Sequence, residues 1–378
     1  MKTNILIIGG GLAGLSLAWQ LQKRGFDYQL IEARARFGGR VDAHDIGTNI
    51  GTNMGTETDM STRSFDTGPA WFWPGQPRIA EAIDELGLQT FEQYALGDVM
   101  FEDEAGRTQR GRGYSSMQGS LRLQGSLQKL VAGIKTRLPS ERYRLSCRAT
   151  SIEQFDGGIT TFFSSKDGKL ESITSQKIVL ALPPRVVADT LSFSPNLSDN
   201  IVASMHSIPT WMAGHAKVVA IYEEAFWRND GLSGDATSHR GPLVEIHDAS
   251  PESHLSQTHG PYALFGFMGV PASARVDNRQ VLIDASIAQL VRLFGEKAKT
   301  PLDIVLKDWA LETETASVLD HIPLDHHPAY GLPSCLKGVW AGRIIFSSTE
   351  AAPGFGGYLE GAFEAAAIAL QQLTNGEQ

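Results

Sequence analysis

Cysteine is almost absent from the 378 residues: Cys147 and Cys335 are the only two. They have no metal-ligand spacing, which excludes a cysteine-built zinc site and marks them as buried small apolar groups rather than a disulfide pair. That usage fits a reducing, cytoplasmic setting. Positive charge is also in short supply, with 33 Lys and Arg against 42 Asp and Glu, a formal charge of −9 and no basic stripe. Unspecific nucleic-acid binding needs clustered cations on phosphates, so a nucleic-acid partner is not expected. No uncharged apolar run approaches the roughly 18 residues that span a bilayer, so a membrane partner is not expected either. Lys2 and the apolar residues after it could open a secretion signal. That run breaks at Gly9-Gly10-Gly11, and its removal would delete a strand. Internal repeats, a nucleophile elbow and a Walker loop are all missing. Asp320-His321 and Asp325-His326-His327 match no metal-ligand spacing and are expected in a solvated loop before Pro328.

What is present begins at Ile5. The stretch Ile5–Arg40 reads as a short apolar run, a glycine turn, a helix pattern, a second apolar run and an acid, in that order. That order predicts a βαβ unit shaped for a dinucleotide. Gly9, Gly11 and Gly14 fit G-x-G-x-x-G. The first turns the chain off the strand, the second admits a pyrophosphate to the backbone, and the third lets helix and strand pack closely. The helix begins near Leu12, so its free N–H groups at Leu12 and Ala13 and its positive end face the phosphates. Leu12, Leu15 and Leu21 keep helical spacing and Gly25 stops the helix. The Phe26–Ile31 strand then delivers Glu32, eighteen residues beyond Gly14, to accept hydrogen bonds from the adenosine ribose. Nicotinamide and flavin dinucleotides share this half-site, and the glycines do not choose between them.

The residues after Glu32 make that choice. Glu32-Ala33-Arg34-Ala35-Arg36-Phe37-Gly38-Gly39-Arg40 resembles the E-A-R-x-R-x-G-G-R signature of the flavin-containing amine oxidase family, which includes monoamine, polyamine and L-amino-acid oxidases. A second half-signature lies near the C-terminus. Ile344–Glu350, then Gly356-Gly357-Tyr358-Leu359-Glu360-Gly361-Ala362 and a helix to Leu373, resemble the strand, T-E, G-Y-x-E-G-A and helix with which that family closes its flavin site. Phe65–Trp71 is similar to the family's D-x-G-x-x-Trp/Tyr segment.

The resemblance implies an α/β fold, with a Rossmann-type FAD-binding domain interleaved with a mixed α+β substrate domain. The first would use residues 1–70, 121–195 and 309–378, the second 71–120 and 196–308. It places Gly9, Gly11, Leu12, Ala13 and Gly14 at the FAD pyrophosphate with Gly38, Gly39 and Arg40. Glu32, Ala33 and Arg34 would lie at the ribose and Ala149 at adenine. Gly68, Pro69, Ala70, Glu350, Gly357, Tyr358 and Leu359 would lie around the flavin. The position of a tethering cysteine holds none, so the FAD is expected to be noncovalent. Ser347-Ser348 replace the usual Ala-Gly before the T-E pair.

Three residues carry the expected chemistry. Lys217, in an apolar strand pattern, resembles the family lysine that reaches flavin N5 through a water. Tyr358 matches the aromatic wall beside the ring, and Trp71 would line the substrate side. Counted from Trp309, the opposite wall falls at Leu319, which is not aromatic. The resemblance at these residues implies a small-molecule amine or amino-acid substrate oxidised at its C–N bond to an imine, with oxygen reduced to hydrogen peroxide. A flavin-dependent desaturase or dehydrogenase of an apolar substrate and a non-catalytic flavin-binding partner protein are the alternatives.

For the remaining segments, residues 41–64 read as a long exposed loop or irregular hairpin. Helices are expected over Ile79–Leu88, Leu121–Leu138 and Arg279–Gly295, and strands over Tyr143–Gln154, Lys177–Leu182, Ala216–Tyr222, Pro242–His247 and Tyr262–Met268.

Overall fold

The computed structural model describes residues 1–46, 64–251, 261–322, 324 and 326–374. Most of the expected 41–64 loop, and Asp325 with it, therefore lies outside the described residues. The two ends of that loop, Ala43–Asp45 and Ser64–Asp66, pair as a short antiparallel ladder.

Among the described residues the first sheet has five parallel strands. Their order is Ile344–Phe346, Lys177–Leu180, Ile5–Ile8, Tyr28–Ile31 and Tyr143–Arg144. Its central strand, Ile5–Ile8, is apolar and buried at every position because both faces of the sheet are covered. Ile5 and Ile7 pack toward the Leu12–Lys23, Gln128–Lys135 and Leu359–Thr374 helices, whereas Leu6 and Ile8 join a separate core with Ile178, Leu180 and Phe346. A four-stranded sheet of Leu170–Ser175, Gly158–Ser164, Arg148–Phe155 and Ser192–Ser194 contributes Ile152, Ile159 and Phe163 to that second core.

A seven-stranded mixed sheet runs in the order Asp303–Asp308, Ala216–Tyr222, Tyr262–Met268, Leu243–Asp248, Leu232–Ser238, Asp98–Glu102 and Thr108–Gly111. All seven residues of Ala216–Tyr222 are buried. Successive side chains on a strand point to opposite faces. Val218, Ala220 and Tyr222 therefore pack with the Arg279–Phe294 helix, while Val219 and Ile221 pack with Phe65, Phe265 and Trp71 on the other face. Lys217 lies on that second face.

Two expected elements are divided in the structure. Leu121–Leu123 is a strand paired with Thr90–Glu92, and the helix starts only at Gln128. Gly125 and Ser126 take φ values of 75° and 74°, which no helix accommodates, and they part the two elements. Tyr143–Gln154 is likewise two strands in different sheets, with Ser146 at φ 55° between them. Periodicity alone does not reveal these backbone reversals.

Candidate active site

Between the parallel sheet and the seven-stranded sheet lies a cavity of about 470 Å³. Gly9, Gly11, Leu12 and Ala13 form part of its wall, as do Glu32, Ala33, Arg34, Gly38, Gly39 and Arg40. Gly68, Pro69, Ala70, Trp71, Ala149, Lys217, Gly357, Tyr358 and Leu359 complete the set of expected residues on it. Gly14 and Glu350 are not on the wall. Gly14 serves the packing behind it: a Cβ there would stand 2.0 Å from the carbonyl oxygen of Gly9.

The glycine turn meets the requirements of a pyrophosphate. Gly11 precedes the first residue of the Leu12–Lys23 helix, whose opening N–H groups have no intrahelical acceptor. A Cβ on Gly11 would find only the Cα of Gly39, 3.9 Å away. Bare backbone and a positive helix end thus face open space. The Leu359–Thr374 helix starts on the same cavity, and Thr349 fixes its entry by accepting from the Gly357 N–H at 3.0 Å and donating to the Tyr358 carbonyl at 2.9 Å. Ser348, also on the wall, has a buried hydroxyl with no hydrogen-bond partner. These features fit a dinucleotide with two phosphates.

The charged residues are more occupied than their sequence suggests. Glu32, 5% exposed, accepts the Gly10 N–H at 2.6 Å and the Arg34 N–H at 2.8 Å, one on each carboxylate oxygen. Each oxygen retains a second lone pair. Arg34 donates to Glu312 at 2.7 Å, and Arg36 donates to the carbonyls of Phe37, Gly39 and Val41, so Arg36 braces the turn. Arg40 lies 2.8 Å from the fully buried Glu350. Neither oxygen of Glu350 receives a hydrogen bond, so this contact is one of charge. Glu350 holds Arg40 from behind and does not itself reach the cavity.

At the other end, Lys217 is 3% exposed. Its Nζ donates to the main-chain carbonyls of Asp66 at 2.7 Å and Gly68 at 3.1 Å, and stands 3.9 Å from the centre of the Phe265 ring. Burial drives its ammonium down to about 7, with Asp66 opposing the shift and Arg122 adding to it. Gly68 has no room for a side chain, since a Cβ would meet the Arg40 carbonyl oxygen at 2.1 Å. Trp71 packs 5.0 Å from His247 and 5.1 Å from Phe265, and its indole donates to Gln93 at 2.8 Å.

Tyr358 is 38% exposed. The opposite wall expected at Leu319 is not there: Leu319 is exposed, on the short Val318–His321 helix, away from the cavity. The aromatic neighbours of Tyr358 are His327, stacked at 4.8 Å and 13°, and Trp73, edge-on at 6.1 Å. Trp211, on the cavity wall, lies 4.8 Å from His327. This corrects the expected solvated loop. His327 is part of an aromatic cluster, and Asp320 is 5% exposed, bound to Arg185 at 2.6 Å and to the N–H groups of Thr210 and Ser317. Among the described residues no group of His, Cys, Asp and Glu could hold a metal. Sequence reasoning missed Trp73, Trp211 and His327. Trp73 follows Trp71 by two residues and could have been flagged, but nothing in the sequence links 211 or 327 to 358.

Comparison with known proteins agrees with this geometry. Residues 110–373 match the flavin containing amine oxidoreductase family, and residues 7–86 match an NAD(P)-binding Rossmann-like domain. A probable flavin-containing monoamine oxidase A of Dictyostelium discoideum is 21% identical, over 96% of this chain and 95% of its own length. A putative flavin-containing monoamine oxidase of Mycobacterium tuberculosis is 28% identical over 67% of this chain, and 52% of that relative is covered. A solved putrescine oxidase bound to putrescine superposes with a TM-score of 0.77 at 18% identity, covering 99% of both chains, which shows a shared fold. With the family match spanning well over half of the sequence, the chain belongs to the flavin-containing amine oxidoreductases and is a flavin-dependent enzyme that oxidises an amine.

Proposed function

We propose that the substrate is a small amine with an apolar body, oxidised at its C–N bond to an imine, with FAD held noncovalently and oxygen reduced to hydrogen peroxide. The observation that carries this reading is the composition of one cavity. It runs from a glycine turn suited to phosphates to a pocket bounded by Trp71, Trp73, Trp211, Met212, Phe267 and Tyr358. Among the described residues the only acids on its wall are Glu32 and Glu314, and Glu314 is engaged by Arg34 and Arg148. A second ammonium on the substrate would find no carboxylate near Tyr358. The arginines described on the wall are Arg34, Arg40 and Arg148, each already beside a glutamate, so no wall arginine is free to hold a substrate carboxylate.

A bound flavin supplies the two-electron acceptor for the C–H bond beside nitrogen. Glu32, Ala33, Arg34 and Ala149 would hold the adenosine, and the N–H groups at Leu12 and Ala13, with Gly38, Gly39 and Arg40, the pyrophosphate. Gly68–Ala70 and Gly357–Leu359 would hold the ring. Tyr358 offers an aromatic face to the amine, the aromatic pocket excludes water, and Lys217, when protonated, brings a positive charge to the wall beside Gly68. Residues 1–70, 121–195 and 309–378 would serve the cofactor, and 71–120 with 196–308 the substrate. The free thiols of Cys147 and Cys335 support a reducing, cytoplasmic location.

The test is an anaerobic titration with benzylamine-like monoamines, diamines and amino acids, followed by flavin bleaching. Monoamines should bleach the flavin at the lowest concentrations. Preferential bleaching by a diamine or an amino acid would overturn the substrate class, and bleached flavin that oxygen does not restore would remove the oxidase.

A further inference from the structure

We propose that Asp66 is the buried counter-ion of Lys217, and that this carboxylate sets the charge Lys217 carries in the site. Its functional consequence rests on the reaction proposed above. Asp66 and Lys217 come from different sheets and meet at one turn: the Lys217 ammonium is bound to the main-chain carbonyl of Asp66 itself, and the two residues are 5% and 3% exposed. The Asp66 carboxyl accepts the Leu127 N–H at 2.9 Å, which holds it in the interior. A buried ammonium bonded only to neutral carbonyls and an aromatic face still needs a balancing charge.

Of the other charged groups around Lys217, Lys307 and His247 have carboxylate partners of their own, whereas Arg122 is a second buried cation held by main-chain carbonyls. Lys307, directly opposite it on the neighbouring strand, is bound by Asp42 and Glu312. His247, beyond Phe265, lies between Asp235 and Glu245. Arg122, buried at 4% exposure, donates to the carbonyls of Ala249 and Ser250 and bears on both members of the pair, pulling Asp66 down and pushing Lys217 down. Asp66 thus faces two buried cations, Arg122 and Lys217, and is the first opposite charge bearing on Lys217. Burial raises the Asp66 carboxyl and lowers the Lys217 ammonium, and each group's charge opposes the shift of the other.

Asp66 acts through Lys217 and is a positioning residue. The test uses flavin-loaded protein carrying lysine labelled with carbon-13 at Cε, with the Lys217 signal identified by its loss in Lys217→Met. Wild-type protein should titrate near pH 7. Asp66→Asn keeps an acceptor for the Leu127 N–H and removes the charge, and it should move the Lys217 midpoint down by about one pH unit or more. Asp66→Ser provides the same comparison with a smaller side chain, and Asp66→Glu should retain a midpoint near the wild-type one. A shift of one unit would lower the charged fraction of Lys217 at pH 7 about fivefold, and the rate at which oxygen restores bleached flavin should fall in parallel. A midpoint unchanged in Asp66→Asn and Asp66→Ser overturns the pairing. The titration reads Lys217 directly, so a flavin that no amine bleaches overturns only the reading of the reaction.

Discussion

The rings of Tyr358 and His327 lie nearly parallel, 4.8 Å apart, and Trp211 abuts the histidine edge-on. Tyr358 is therefore fixed from one side by a residue 31 positions earlier in the chain, and its rotamer depends on that support.

His327→Ala should lower kcat/KM for a monoamine by roughly tenfold at most, since an aromatic pair is worth about 0.5–1.5 kcal/mol. His327→Phe should restore most of it. Steady-state kinetics of both variants decide the matter, and equal loss in the two would mean that the imidazole has a polar role that stacking does not explain.

Flavin should leave the protein intact on acid precipitation. Cys147 is on the cavity wall but stands beside Arg148 and Ala149, and burial pushes its thiol up, away from the reactive thiolate. Yellow colour that stays with the precipitate would mean a covalent link.

Glu32→Ala removes the acceptor of two backbone N–H groups as well as the expected ribose contact. Hydrogen bonds to charged groups are worth about 1.5–3 kcal/mol each, so FAD affinity should fall at least about tenfold. The apoprotein should also melt earlier. Calorimetric titration with FAD and thermal unfolding without it measure the two effects separately, and flavin affinity equal to wild type would place the ribose contact elsewhere.

Lys217→Met keeps the length of the side chain and removes its charge. The charge favours electron transfer from reduced flavin to oxygen, so the reoxidation half-reaction should slow by about tenfold or more, with a smaller effect on reduction by the amine. Because Nζ also ties the carbonyls of Asp66 and Gly68, some general loosening of the turn is expected. Stopped-flow measurement of the half-reactions separates these, and equal slowing of both would leave only the structural tie.

Stability should also respond to pH through Asp66. Its folded carboxyl titrates at about 6 against an ordinary value of 3.8, so between those values the folded state holds a proton that the unfolded chain has lost. Stability from this group therefore falls as pH rises from about 4 to 6. Lys217, lowered from 10.5 to about 7, acts in the opposite sense, and stability from it rises with pH between those values. Across pH 4 to 6, wild-type protein should lose stability relative to Asp66→Asn in denaturant unfolding. Parallel curves would show that Asp66 is ionised throughout.

The nucleotide end of the site was determined locally by the sequence. The strand, glycine turn, helix and acid of Ile5–Glu32 lie within one continuous βαβ unit, and each residue's role follows from backbone geometry over a few neighbours. The segments Arg34–Arg40 and Gly356–Leu359 were legible through their resemblance to the family's two signatures. Only the tertiary structure decided the other end. Lys217 becomes a buried cation because the Ser64–Asp66 strand and the carbonyl of Gly68 after it lie over one face of its strand, and the aromatic support of Tyr358 comes from residues 73, 211 and 327. Those partners are joined by sheet register and loop crossing, and an apolar period of 2 or 3.6 carries no information about which distant side chain completes a contact.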